Sequence, residues 1–84
     1  MAKVKVYTKD NCPYCRLAQE LLTAKNIEFE TIHVDKDPEK LQEMMELSNR
    51  RTVPQIFINE QSIGGYDDLA ALAKAGKLDA LLAS

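Results

Sequence analysis

The chain is short of almost everything that would mark a fibrous, membrane-bound or stapled protein. Three glycines and three prolines in 84 residues exclude a collagen-like repeat and a Pro/Gly-rich disordered chain. Apolar runs are brief: the longest, Leu69 to Ala73, falls far below the roughly 18 residues that a membrane-spanning helix requires. Lys3 and Lys5 interrupt the N-terminal stretch where a signal peptide would place its apolar segment, so a cytoplasmic protein is expected. An excess of one charge is lacking too. Eleven basic residues face thirteen acidic ones for a net charge of -2, which offers no electrostatic footprint for nucleic acid or an anionic membrane. With 45% apolar residues, what remains is an ordinary soluble globular composition. The length suits one modest core, so residues 1–84 are expected to form a single domain with no second catalytic unit.

Cysteine is equally scarce, but its placement is informative. The two cysteines, Cys12 and Cys15, are three positions apart. One pair cannot form a disulfide framework, and the loop it closes is too small to restrict the unfolded chain much. Chemistry is therefore expected of the pair rather than stapling. With His33, the only histidine, the chain offers three nitrogen or sulfur ligands, one short of the four in a usual structural zinc site, so no metal site within one chain is expected. An iron-sulfur cluster held between two chains stays open as an alternative.

The remaining pattern predicts a compact order of elements. Val4 and Val6 alternate with Lys3 and Lys5 and run into Tyr7, the period of a strand. Thr8 to Asn11 reads as a loop. From Pro13, tolerated in a first turn, Leu17, Ala18, Leu21, Leu22 and Ala24 recur at helical spacing, and the helix should stop near Lys25-Asn26. Ile27 to Val34 is expected to be a second strand, and Asp37-Pro38 to cap and open a second helix carrying Leu41, Met44, Met45 and Leu47. Gln55 to Ile58 and Gln61 to Ile63 form a hairpin about Asn59-Glu60. Gly64-Gly65 breaks it, and Asp67 or Asp68 is expected to cap a third helix through Leu69, Leu72 and Ala73. Gly76 ends that helix before a last short one with Leu78, Leu81 and Leu82. The order β-α-β-α-β-β-α-α implies a parallel right-handed βαβ unit and an added hairpin. Together they make an α/β protein with a mixed four-stranded sheet and helices on both faces.

In this layout the cysteines lie between the first strand and the helix that follows it. The first sulfur meets the free amides and the positive dipole end of the helix, which favour thiolate. Cys12 is thus the expected attacker and Cys15, one turn inside and less exposed, the resolver. Lys3, Lys5, Lys9 and Arg16 against Asp10 suggest a basic active-site end on an otherwise acidic chain.

Cys12-Pro13-Tyr14-Cys15, Thr52-Val53-Pro54 and Gly64-Gly65-Tyr66-Asp67-Asp68, in this order and at this spacing, resemble the glutaredoxin family in its short bacterial dithiol form, across nearly the whole chain. The resemblance implies a thioredoxin-like fold of strand order 2-1-3-4. It also implies glutathione-dependent reduction of protein disulfides and glutathione mixed disulfides, with glutathione as co-substrate and no tightly bound cofactor. Carried over by position, Cys12 and Cys15 match the catalytic cysteines, and Lys9 and Tyr14 match positions flanking glutathione. Thr52 and Val53 precede Pro54, which the family holds in cis, and the Val53 backbone would pair with the cysteinyl unit as an added strand. Gly65, Tyr66 and Asp67 match the loop and helix start that take the γ-glutamyl end. Many members reach the glycyl carboxylate with Gln or Arg on the second helix. That stretch here reads Lys40-Leu41-Gln42, and Arg50 or Arg51 are the substitutes at hand.

Plainer readings stand beside these. Tyr14 would simply cover apolar surface, Asp67 and Asp68 would only cap a helix, Arg50-Arg51 would be a solvated pair, and His33 would be a strand residue without a catalytic role. Met44 and Met45 would fill the core. Disulfide-bonded or glutathionylated proteins are the expected partners of a monomer. The rival readings are an iron-sulfur carrier and a thioredoxin-type donor recharged by a flavin reductase.

Overall fold

A computed structural model describes residues 2–83. Its elements run β1 (Val4–Thr8), α1 (Pro13–Ala24), β2 (Glu30–His33), α2 (Pro38–Ser48), β3 (Gln55–Ile58), β4 (Gln61–Gly64), α3 (Tyr66–Lys74) and α4 (Leu78–Ala83). The sheet order is β2-β1-β3-β4, with β1 parallel to β2 and antiparallel to β3. The expected order and mixed sheet are both present. No helix among the described residues is long and apolar enough to cross a membrane.

Alternation along β1 and β3 divides the core into two layers. On one face Val4, Val6, Ile56 and Ile58 pack with Ala18 and Leu22 of α1, Leu69 of α3 and Leu78 of α4. On the other, Tyr7, Phe57, Ile32 and Val34 surround Met44 of α2. Helices thus cover both faces. Tyr7 and Phe57 meet edge-on with ring centres 5.3 Å apart.

Local chemistry sets the element ends. Asp37 caps α2 by accepting the Glu39 and Lys40 amides at 3.1 and 3.3 Å, with Pro38 in the first turn. Asn49 closes the helix in the left-handed region at φ 59°, and Asn59 and Glu60 adopt positive φ to turn β3 back into β4.

Four expectations need correction. Thr8 belongs to β1 and not to the loop after it. β2 is shorter than the apolar stretch suggested: the Ile27 amide bonds to the Leu22 carbonyl at 2.9 Å, and Ile27 and Phe29 pack against the α1 layer before pairing starts at Glu30. Neither Asp67 nor Asp68 is the N-cap of α3. Gly65 holds that position, and Asp68, three residues on, reaches back to accept the Gly65 amide at 3.0 Å, half of a capping box. The basic cluster is also dispersed. Lys3 stands at the far end of β1, where its amide bonds Asn59, Lys5 lies near Glu43, and Arg16 borders a separate hollow with Gln19 and Glu20.

Candidate active site

Parallel pairing of β1 with β2 brings the β1–α1 loop to the end of the sheet where α1 begins. Asn11 takes a left-handed φ of 57° and the chain enters Cys12 in extended geometry, with Pro13 as the first helical residue. Cys12 is the N-cap: its sulfur accepts the Cys15 amide at 3.2 Å, and its carbonyl takes the first helical bond from Arg16 at 3.1 Å. A sulfur in that position faces the partial positive charge of the helix start, which lowers the energy of a thiolate.

The two cysteines are joined as a disulfide, with Cα atoms 5.2 Å apart. Their environments differ. Cys12 is half-buried, whereas Cys15 is 2% exposed and packed within α1. A partner's sulfur can approach the first and not the second.

Opposite the pair lies the segment leading into β3. The Val53–Pro54 peptide is cis, and the Val53 carbonyl oxygen is 3.8 Å from Cys12 Sγ. Two hollows open on either side of this contact, with Thr52 and Val53 bordering both. One is walled by Tyr14, Pro54, Gly65, Tyr66, Asp67 and Asp68, with Arg50 at its mouth. The other holds Cys12, Lys9, Asn11, Leu41 and Arg51. Of the residues that the resemblance points to, Lys9, Cys12, Tyr14, Thr52, Val53, Pro54, Gly65, Tyr66 and Asp67 border one or both of these hollows, and Cys15 is buried behind Cys12.

Tyr14 is exposed, and its ring lies 6.1 Å from that of Tyr66 at a 34° tilt, so the two form an aromatic wall. The α3 start is open to the groove, because glycine at the N-cap supplies no side chain to its amides. His33 lies 4.0 Å from Asp10 on the exposed side of β2 and lines neither hollow. Asp10 is further held by Lys36 at 3.4 Å, and its amide bonds Asp35, whose carboxyl this contact holds below the usual range.

On the second helix, Gln42 is tied to Glu46 at 2.9 Å and Lys40 to Glu43 at 3.6 Å. Leu41 alone of that stretch reaches the groove. Arg51, left open by sequence reasoning, stands there with Lys9. The pairing of Arg50 with Asp68 had no signal in the sequence, because it joins a loop to a helix eighteen positions away.

A disulfide at the first turn of the crossover helix, facing a cis-proline loop, defines a thiol-disulfide redox centre on a thioredoxin-like fold. Residues 4–63 match the glutaredoxin family model. Glutaredoxin 3 of Escherichia coli K12 is 51% identical over 82 residues, spanning 98% of this chain and 99% of that one. The solution structure of glutaredoxin from Brucella melitensis superposes with a TM-score of 0.86 at 50% identity, covering 98% of this chain and 89% of that one. The crystal structure of a buckwheat glutaredoxin-glutathione complex gives 0.87 at 28% identity, over 95% and 76%. The chain belongs to the glutaredoxin family. It is a glutathione-dependent thiol-disulfide oxidoreductase, with glutathione as co-substrate and disulfide-bearing proteins as partners.

Proposed function

We propose that residues 1–84 work as one domain in which the groove around Cys12 binds a glutathionyl group across its whole length. The contact that carries this reading is the Val53 carbonyl 3.8 Å from Cys12 Sγ. A cysteinyl unit paired with the Val53 backbone as a short added strand would deliver its sulfur to Cys12. Thr52 and Pro54 shape that edge, and Tyr14 flanks the sulfur. The γ-glutamyl carboxylate meets the α3 start at Tyr66 and Asp67, where Gly65, whose own amide is taken by Asp68, leaves room for its approach, and the Asp67 carboxylate meets the ammonium. Lys9 and Arg51 take the glycyl carboxylate in the other hollow.

In the monothiol route the Cys12 thiolate attacks the glutathione sulfur of a mixed disulfide. The old S–S bond breaks and the protein leaves as a thiolate that takes up a proton. A second glutathione thiolate then attacks the Cys12-bound glutathione sulfur, which releases the Cys12 thiolate and oxidised glutathione. In the dithiol route Cys12 attacks a protein disulfide and Cys15 displaces the protein from Cys12, leaving the Cys12–Cys15 disulfide. Two glutathione molecules reduce it again.

Family membership favours this chemistry over an iron-sulfur carrier or a donor recharged by a flavin reductase. The reading extends to a monomer of the cytoplasm that engages neither nucleic acid nor membrane. Its support is a net charge of -2, which gives no electrostatic footprint for nucleic acid or an anionic membrane. Mass spectrometry of Cys15→Ser after oxidised glutathione tests the site: one adduct on Cys12 is expected, and an unmodified Cys12 would overturn it.

A further inference from the structure

Gln55 opens β3 and is 0% exposed. It pairs with Tyr7 of β1 and stands two residues before Phe57, so its side chain shares their face of the sheet. That face is otherwise filled by Ile32, Val34 and Met44. Its amide nitrogen donates to the Thr52 carbonyl at 3.0 Å and lies 3.2 Å from the Thr52 hydroxyl. Its amide oxygen is buried without a hydrogen-bond partner among the protein groups. Turning the amide over would not help, since the Thr52 carbonyl can only accept and must face the nitrogen.

A half-satisfied buried amide weakens a fold. Methionine has nearly the same length and volume, carries no such group, and would suit a sheet face lined by Tyr7, Phe57 and Met44. Stability alone therefore gives no reason for glutamine here. The amide does have a geometric effect. By holding both oxygens of Thr52 toward β3, it fixes the chain that enters Val53, whose carbonyl faces Cys12 across the groove.

We propose that Gln55 is a positioning residue for the substrate: it clamps Thr52 so that the Val53 backbone presents its pairing edge to a glutathionyl cysteine, and it serves this docking at the expense of the sheet's own stability. The inference rests on the reading of Val53 as the docking strand. It differs from a structural role in one respect, that docking and stability should move in opposite directions.

The test compares the reduced wild-type protein with Gln55→Met. Each reacts with a peptide carrying a glutathionylated cysteine and with the same peptide carrying a 2-mercaptoethanol adduct, which has no backbone to pair with Val53. The readouts are the concentration dependence of peptide-thiol release and the thermal midpoint. Wild type should prefer the glutathionyl adduct. In Gln55→Met that preference should fall about tenfold, as loss of the bonds that fix one loop would give. The loss should fall in apparent affinity rather than limiting rate, with a thermal midpoint at or above that of wild type. A lowered midpoint, whether the preference is kept or lost, would make Gln55 structural and overturn the inference. So would an unchanged preference at any midpoint, or a variant that does not fold where Gln55→Leu also fails. If wild type itself shows no preference between the adducts, the Val53 docking reading fails first, a result distinguishable from failure of the Gln55 role.

Discussion

Arg50 and Asp68 meet across the mouth of the groove: a guanidinium nitrogen lies 3.1 Å from Asp68 Oδ2, and that same oxygen accepts the Gly65 amide at 3.0 Å. One carboxylate thus anchors the α2–β3 loop and closes the first turn of α3. Its two contacts are unequal, since the ion pair is half exposed and screened by water, whereas the amide bond belongs to a helix start.

Asp68→Ala should accordingly lower stability by about 1–2 kcal/mol, and Arg50→Ala by less than about 1 kcal/mol. Urea unfolding of the two variants measures the difference. A larger loss for Arg50→Ala would mean that the ion pair, and not the cap, holds the loop.

Gly64 and Gly76 both have positive φ, at 113° and 74°, but their surroundings differ. A Cβ on Gly64 would collide with the Asp68 carboxylate, while one on Gly76 would meet nothing within 4 Å. Gly64→Ala is expected to destabilise by about 2–3 kcal/mol and to disturb the Gly65–Asp67 side of the groove, against about 1 kcal/mol for Gly76→Ala. Equal thermal midpoints for the two variants would contradict this.

The Tyr7 hydroxyl donates to Glu43 at 2.6 Å. Burial, then this bond, pushes the Tyr7 phenol far above its ordinary 10.0, and the same bond lowers Glu43 below its ordinary 4.5. The raised tyrosine contributes stability that is full below pH 10.0 and is lost as pH climbs toward the folded value. The lowered glutamate contributes stability present above 4.5 and lost as pH falls through the folded value. Tyr7→Phe should cost about 1 kcal/mol at neutral pH and flatten the alkaline arm of the stability profile. An alkaline arm as steep as wild type's would rule out Tyr7 as its source.

The cysteines should respond asymmetrically to substitution. Cys12→Ser removes the attacking sulfur and should reduce both disulfide reduction and deglutathionylation by more than about 1,000-fold. Cys15→Ser should keep deglutathionylation within a few-fold of wild type and lose protein-disulfide reduction. Equal loss of both activities in Cys15→Ser would reverse the assignment of attacker and resolver.

Arg51→Met should raise the KM for glutathione by about three- to tenfold, with a smaller effect at high salt because the charge it removes is exposed. Gln42→Ala should leave KM unaltered, because that amide is engaged with Glu46. The opposite ranking would move the glycyl carboxylate onto α2.

Much of this was legible in the sequence, for identifiable reasons. Asp37-Pro38 announced a helix start because cap and first-turn chemistry are local, and alternation in Val4-Lys5-Val6 told a strand its inner face. Cys12 and Cys15 carried their meaning in their spacing. The cap of α3 was misread because two aspartates near a helix start look alike until the chain shows which one bends back; Asp68 does, and glycine takes the cap. Ile27 and Phe29 read as strand because burial against α1 and burial in a sheet leave the same apolar signature. Lys3 and Lys5 counted as neighbours of Cys12 only along the chain, since β1 carries them away from it. The Arg50–Asp68 and Gln55–Thr52 contacts depend on how a loop is folded back, and no periodicity encodes that.

Cys12 and Val53 are 41 residues apart, and the two hollows exist only where those segments meet. Reactivity and discrimination are therefore acquired at different moments of the molecule's life. A chain just emerging, or one caught unfolding, already carries a thiol pair that can exchange with any disulfide it encounters. On the docking proposed above, it would become selective for one small tripeptide only when β3 has docked beside β1.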